Sequence, residues 1–322
     1  MKFTKYFDLQ MFANMNTQTT ATGTLSDEMK VYYSDYLIDN AVPKLVHDQF
    51  GQKHPIPKNG GKTIEFRKYS PLPKLLTPLT EGVTPDGQSL TVTTVEATID
   101  QYGGYVTISD MLQLTAIDNN MVQATKLLGN QAGASLDTIT REVLNGGTNV
   151  VYAGGATSRS ALTADSKLTV DDIKKAVRAL KNQNAEKIGD SYVAIIHPDV
   201  TYDLTNDPAW QAVKDYDPKD WYEGEIGKIA GVRFVETTEA KIFEGGVYST
   251  LILGDNAYGV TEVEGGGLQH IVKQLGSAGT ADALDQRATV GWKATKCAER
   301  LVEQFMVRIE SKGTFSSEAA SN

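Results

Sequence analysis

The spacing of apolar residues predicts one dominant helix. Between Asp118 and Asn145, the residues Met121, Thr125, Leu128, Ala132, Leu136, Ile139 and Val143 recur at steps of three and four, which places them on one helical face. At 1.5 Å per residue this helix is about 40 Å long, a spine rather than a local packing element. Asp118 or a neighbouring Asn can cap its first turn, and Asn145-Gly146-Gly147 offers the left-handed residues that stop a helix. Gly129 and Gly133 lie inside it, and each costs about 1 kcal/mol relative to Ala. That cost points either to a bend or to another backbone approaching that face.

A period of two appears from Lys62 to Tyr69, with Ile64 and Phe66 on one side and Glu65 and Arg67 on the other. Asn59-Gly60-Gly61 precedes this strand as a turn. Pro71, Pro73, Pro78 and Pro85 follow, Pro85-Asp86-Gly87 reads as the reversing turn, and the Thr- and Val-rich run from Leu90 to Ile99 returns as a second strand. Residues 58–104 are therefore expected to form a long hairpin. With few large apolar residues it cannot build its own core, so it lies on the body or on a neighbouring subunit.

The remaining pattern mixes both periods. A helix is expected from Leu25 to Val46, capped at Ser26 and ended at Pro43, after a flexible arm over residues 1–25. A short helix begins at Asp110. Val150 to Leu168 reads as a connecting loop, and Thr169 caps an amphipathic helix carrying Val170, Ile173, Val177 and Leu180. Tyr192–Ile196 is a buried strand stopped by His197-Pro198. Further strands are expected at Val232–Glu236, Tyr248–Leu253, Tyr258–Glu262, 268–275 and 287–310, and the polar tail from Ser311 is expected to fray. Helices and strands in this order make an α+β protein.

Composition narrows the function by exclusion. The 322 residues, 40% hydrophobic and 22% charged, can bury a sizeable core. A formal charge of −9 argues against affinity built on neutralising nucleic-acid phosphates. The single cysteine, Cys297, excludes an internal disulfide framework; in a strand it reads as a small buried hydrophobe or, less simply, as a reactive thiol. No run of 18 apolar residues exists to span a membrane. His47 and His54 lack a third ligand at a recognised spacing, so no metal is expected. Gly61-Lys62-Thr63 fails as a phosphate loop, because Ile56 stands where its first glycine is needed. His197 has no nucleophile or carboxylate placed beside it by any motif and reads as a hydrogen-bonded turn residue. No catalytic residue, cofactor or enzyme activity is expected. Trp210, Tyr216, Trp221 and Tyr222, set among acids between Asp207 and Glu225, suit a protein-protein contact or satellite packing under a loop.

Taken in order, the polar arm, the Pro-tipped hairpin, the spine ending Leu144-Asn-Gly-Gly147, Ile195-Ile-His-Pro198, Gly231-Val-Arg-Phe-Val235 and the closing pair of long strands resemble the major capsid proteins of tailed bacteriophages, with the Hong Kong-type shell fold. The resemblance covers about Leu25 to Phe315. It implies an N-terminal arm (1–57), an extended hairpin loop (58–104), a peripheral domain with the spine helix (105–164), an axial domain (165–265), and C-terminal strands of the peripheral domain with the tail (266–322). The implied function is self-assembly through pentamers and hexamers into an icosahedral shell enclosing phage DNA. An encapsulin-like bacterial compartment shares the fold and is the alternative. Expected partners are further copies of the chain, a separate scaffolding protein, a portal protein, and double-stranded DNA touched weakly and without sequence specificity; no membrane is involved. The implied location is the virion capsid, with assembly expected in the host cytoplasm. Interface residues are expected at the hairpin tip, Thr77, Pro78, Glu81, Pro85 and Asp86, and in the aromatic loop, Trp210, Tyr216, Trp221 and Tyr222. Some relatives join subunits through a Lys-Asn isopeptide bond. Here residues 77–87 contain no Lys and residues 276–287 no Asn, so none is expected.

Overall fold

The computed structural model describes residues 17–18, 46–69, 72–116, 120–214, 227–264, 266–277 and 282–322. Strands β1 (Thr17–Gln18), β2 (Gln52–Lys53), β3 (Thr63–Tyr69), β4 (Val92–Thr98) and β5 (Asp100–Ser109) lead to helices α1 (Asp110–Thr115) and α2 (Asn120–Asn145). After β6 (Val150–Tyr152) come α3 (Val170–Asn182), β7 (Tyr192–Ile196), α4 (Pro198–Thr205) and α5 (Pro208–Lys214). The chain continues through β8 (Lys228–Ile229), β9 (Val232–Glu236), β10 (Ile242–Phe243), β11 (Val247–Leu253) and β12 (Tyr258–Thr261). It closes with β13 (Gln269–Lys273), β14 (Arg287–Arg300) and β15 (Met306–Ser311). Two compact units result, one of residues 1–42, 102–132 and 268–294, the other of 43–101, 133–267 and 295–322.

In the first unit β14 pairs with β5 and with β13, and β1 runs parallel to β5. Alternation in β14 buries Ala288, Val290, Trp292 and Ala294. Trp292 Nε1 donates to Gln131 Oε1 of α2 at 3.3 Å. On the opposite face Tyr105 lies so close across Gly291 that a Cβ there would sit 2.8 Å from its own, which is why glycine occupies the strand centre. Ser109 Oγ accepts from Leu112 N and caps α1.

The second unit centres on a sheet of order β6-β15-β11-β7-β9-β8, with β10 added on β11. Both of its faces are covered. Ala194, Ile196, Tyr248, Ile252, Val307 and Ile309 meet Ile173, Val177 and Leu180 of α3. The alternate residues Ile195, Leu251, Leu253 and Met306 meet Leu144 of α2 and Tyr258 of β12. Burial on both faces explains the unbroken apolar runs in β7 and β11. Thr169 caps α3 as expected, its Oγ1 accepting from Asp172 N at 3.3 Å.

Several expectations are corrected. Residues 150–152 are a strand, not loop, parallel to β15. α2 is continuous through Gly129 and Gly133, without a break, and a Cβ at Gly129 would meet nothing within 4 Å. Gly146 and Gly147 do not adopt positive φ. The helix end is held instead by Asn145 Nδ2 donating to Arg141 O at 2.8 Å and by Glu303 Oε1 accepting from Thr148 N. The tail is pinned rather than frayed: Thr314 N and Oγ1 donate to Asp203 at 2.8 and 2.5 Å, and Ile242 N donates to Asn322 Oδ1 at 2.8 Å. Cys297 is half-buried in β14, and burial pushes its thiol up. Asp118 and the helix expected over residues 25–46 lie outside the described residues, Val46 excepted.

Candidate assembly surface

The ribbon of β3 and β4 is largely exposed, with only Ile64, Phe66, Val95 and Ala97 of its strands partly or fully buried. Its strands pair antiparallel from Thr63 opposite Thr98 to Tyr69 opposite Val92, and Ile99 N donates to Lys62 O at 2.9 Å below the last pair. The root is fixed through β2, which runs parallel to β12, and through Ile56 N, which donates to Glu262 O at 2.9 Å. Phe66 lies on Gly259, where a Cβ would stand 3.0 Å from its ring, and packs edge-on against His54 with centroids 6.0 Å apart.

Beyond Tyr69 the ribbon carries apolar side chains that are exposed among the described residues. Leu75 and Leu76 are 80% and 85% exposed, and Leu72, Leu79, Val83 and Leu90 are also exposed. The reversal occurs at Thr80–Val83, with Val83 N donating to Thr80 O at 3.2 Å and Gly82 at φ +78°. The turn expected at Pro85-Asp86-Gly87 is not formed there. Thr77, Pro78, Glu81, Pro85 and Asp86 are all exposed around this tip. The leucines are what the sequence reading undervalued; their run, Leu72-Pro-Lys-Leu-Leu-Thr-Pro-Leu79, is itself the signal.

The aromatic loop is different. Trp210 is 1% exposed and meets Phe234 edge-on at 5.8 Å. It is a core residue of its own subunit, not a surface anchor. Tyr216, Trp221 and Tyr222 lie outside the described residues.

Beneath the ribbon root a buried polar centre holds the C-terminal half of α2. His47 Nδ1 and Asp137 Oδ2 are 2.7 Å apart, and His47 N donates to Asp137 Oδ1 at 2.8 Å. Lys296 Nζ donates to Asp48 Oδ2 at 2.5 Å and to Leu136 O at 2.7 Å. Thr140 Oγ1 donates to Asp48 Oδ1 at 2.5 Å, and Tyr258 OH donates to His47 O. Arg141 and Lys241 both donate to Glu142 Oε1 at 2.9 Å. Burial alone would raise the Glu142 carboxyl, yet these two cations hold it below the usual carboxylate range. The helix thus buries Asp137, Thr140 and Arg141 where the spacing pointed to Ile139 and Val143, which are only half-buried.

His197 caps α4, Nδ1 accepting from Asp199 N at 3.2 Å, and burial pushes its imidazole down despite the nearby Asp199 and Glu236. No group of three or more metal-ligating side chains converges, and no helix is long and apolar enough to cross a membrane, among the described residues.

A family model described as phage capsid protein matches residues 92–298, well over half of the chain. The chain belongs to the phage capsid protein family. Its fold is similar to the capsid structure of the cyanophage P-SCSP1u, with a TM-score of 0.67 at 14% identity, covering 95% of this chain and 100% of that one. The capsid of Ralstonia phage GP4 gives 0.67 at 16% identity, over 92% and 98% of the two chains. Cyanophage Pam1 capsid gives 0.66 at 14%, over 88% and 95%. No curated protein matches the sequence. The protein is therefore a structural one, a major capsid protein that forms the phage shell in the Hong Kong-type α+β fold, and the compartment alternative gains no support.

Proposed function

We propose that this capsid protein assembles through pentamers and hexamers into an icosahedral shell around phage DNA, with the ribbon of one subunit lying over its neighbour. The observation that carries this reading is the row of exposed leucines from Leu72 to Leu79. Fully burying such a side chain is worth about 2 kcal/mol, so each ribbon contributes several kcal/mol before the cost of association. Contacts repeated around a closed ring add up. Residues 58–104 act as the extended loop, 105–164 with 266–322 as the peripheral domain, 165–265 as the axial domain and 1–57 as the arm. Thr77, Pro78, Glu81, Pro85 and Asp86 take part in the contact, with Tyr216, Trp221 and Tyr222 facing the capsomer axis.

A separate scaffolding protein, a portal protein and assembly in the host cytoplasm complete the proposal. The net charge of −9 supports loose, sequence-independent contact with the packaged double-stranded DNA, because a strongly basic lining would hold the genome rather than release it. The test is the variant Leu75→Ser with Leu76→Ser. It is expected to fold with an unchanged melting temperature and to lose nearly all particles under conditions where the wild type assembles; particle yield equal to wild type overturns the ribbon contact.

A further inference from the structure

Charge is distributed unevenly along the ribbon. The ascending half, residues 58–74, carries Lys58, Lys62, Arg67, Lys68 and Lys74 against Glu65 alone, whereas no Lys or Arg occurs from Leu75 to Thr125, and the tip presents Glu81 and Asp86. At the root an open groove of about 540 Å³ is lined by His54, Pro55, Phe66, Arg67, Lys68 and Val302, with Glu65 also on its wall. Arg67 reaches Glu65 at 3.4 Å while both stay exposed, a pairing of little worth in water. Lys68 is exposed and forms no ion pair among the described residues. The groove therefore offers apolar walls beside positive charge, and the tip offers leucines and Val83 beside negative charge. The groove flanks β3 from Ile64 to Lys68 while the tip lies beyond the last strand pair, Tyr69 with Val92, and Glu81 and Asp86 form no ion pair with it among the described residues, so the match serves two copies rather than one.

We infer that the acidic tip of one subunit, through Glu81 and Asp86, seats in the Arg67-Lys68 groove at the ribbon root of a second copy of this chain. The inference rests on the reading that the ribbon docks on a neighbour and adds where the tip lands. Opposite charges set the register of the contact and its rate of formation more than its strength, and like charges brought together there oppose it. The ribbon leucines supply the burial, and the charged ends choose which of several equivalent positions along the neighbour is occupied.

Reversal and rescue test it. The full chain carrying Glu81→Lys with Asp86→Lys, the chain carrying Arg67→Glu with Lys68→Glu, and the chain carrying all four are compared by sedimentation and particle counts. All changed positions are exposed, and melting temperature checks each fold. Each two-site reversal is expected to lower particle yield about tenfold or more, and the four-site chain to return within about twofold of wild type. Either reversal assembling like wild type, or no recovery in the four-site chain, overturns the inference. Failure of the leucine variant to assemble alongside neutral charge reversals would keep the ribbon contact and discard only this landing site.

Discussion

Asp137 shows what a single buried carboxylate does for the spine. Both its oxygens are taken by His47, which roots the segment ahead of the ribbon on the helix. Removing one member of a buried pair leaves the other without compensation, a loss of about 3–5 kcal/mol. Asp137→Ala is expected to lower unfolding stability by that amount in urea titration, and a loss below about 1 kcal/mol would show the pair to be dispensable. Nothing in the apolar spacing announces this centre. The partners of α2, His47, Asp48 and Lys296, stand some 90 to 160 positions away in sequence, and periodicity reads only neighbours along the chain. The stripe was right where packing is apolar, at Leu128, Ala132 and Leu136, and failed where satisfied polar groups replace it.

At the scale of elements, local chemistry was legible wherever it decided the outcome. The Thr169 cap, the His197-Pro198 stop and the alternation of Ile64 and Phe66 appear in the structure as their side chains dictate. Long-range pairing was not legible. Residues 150–152 look like loop by composition and become a strand because β15 supplies an edge, and the polar tail is ordered by Asp203 and Ile242 rather than by its own sequence. Trp210 belongs to the same class: an aromatic among acids left a surface contact and packing under a loop both open, and α5 turns it inward onto Phe234. Trp210→Ala is accordingly expected to cost about 3–5 kcal/mol of subunit stability, measured by thermal or chemical unfolding of unassembled protein. A variant of native stability that fails only in assembly would restore the anchor role.

For the whole molecule, the order of elements carried more information than any one of them. A long helix, a hairpin too exposed to stand alone, and closing strands are ordinary singly; together they describe a subunit that completes its burial only in company. What the sequence lacked was the position of the reversing turn, which fell at Thr80–Val83 instead of Pro85–Gly87, and the groove that sets Arg67 and Lys68 beside His54 and Val302. The most direct test of a shell-forming subunit is sedimentation with electron microscopy of the protein expressed alone and with candidate scaffold genes. Pentamers, hexamers or closed megadalton particles are predicted, with uniform closure only in the presence of a scaffold. Uniform closed shells from the chain alone would remove the scaffold from the account, and a monodisperse monomer or dimer under every condition would contradict its central claim.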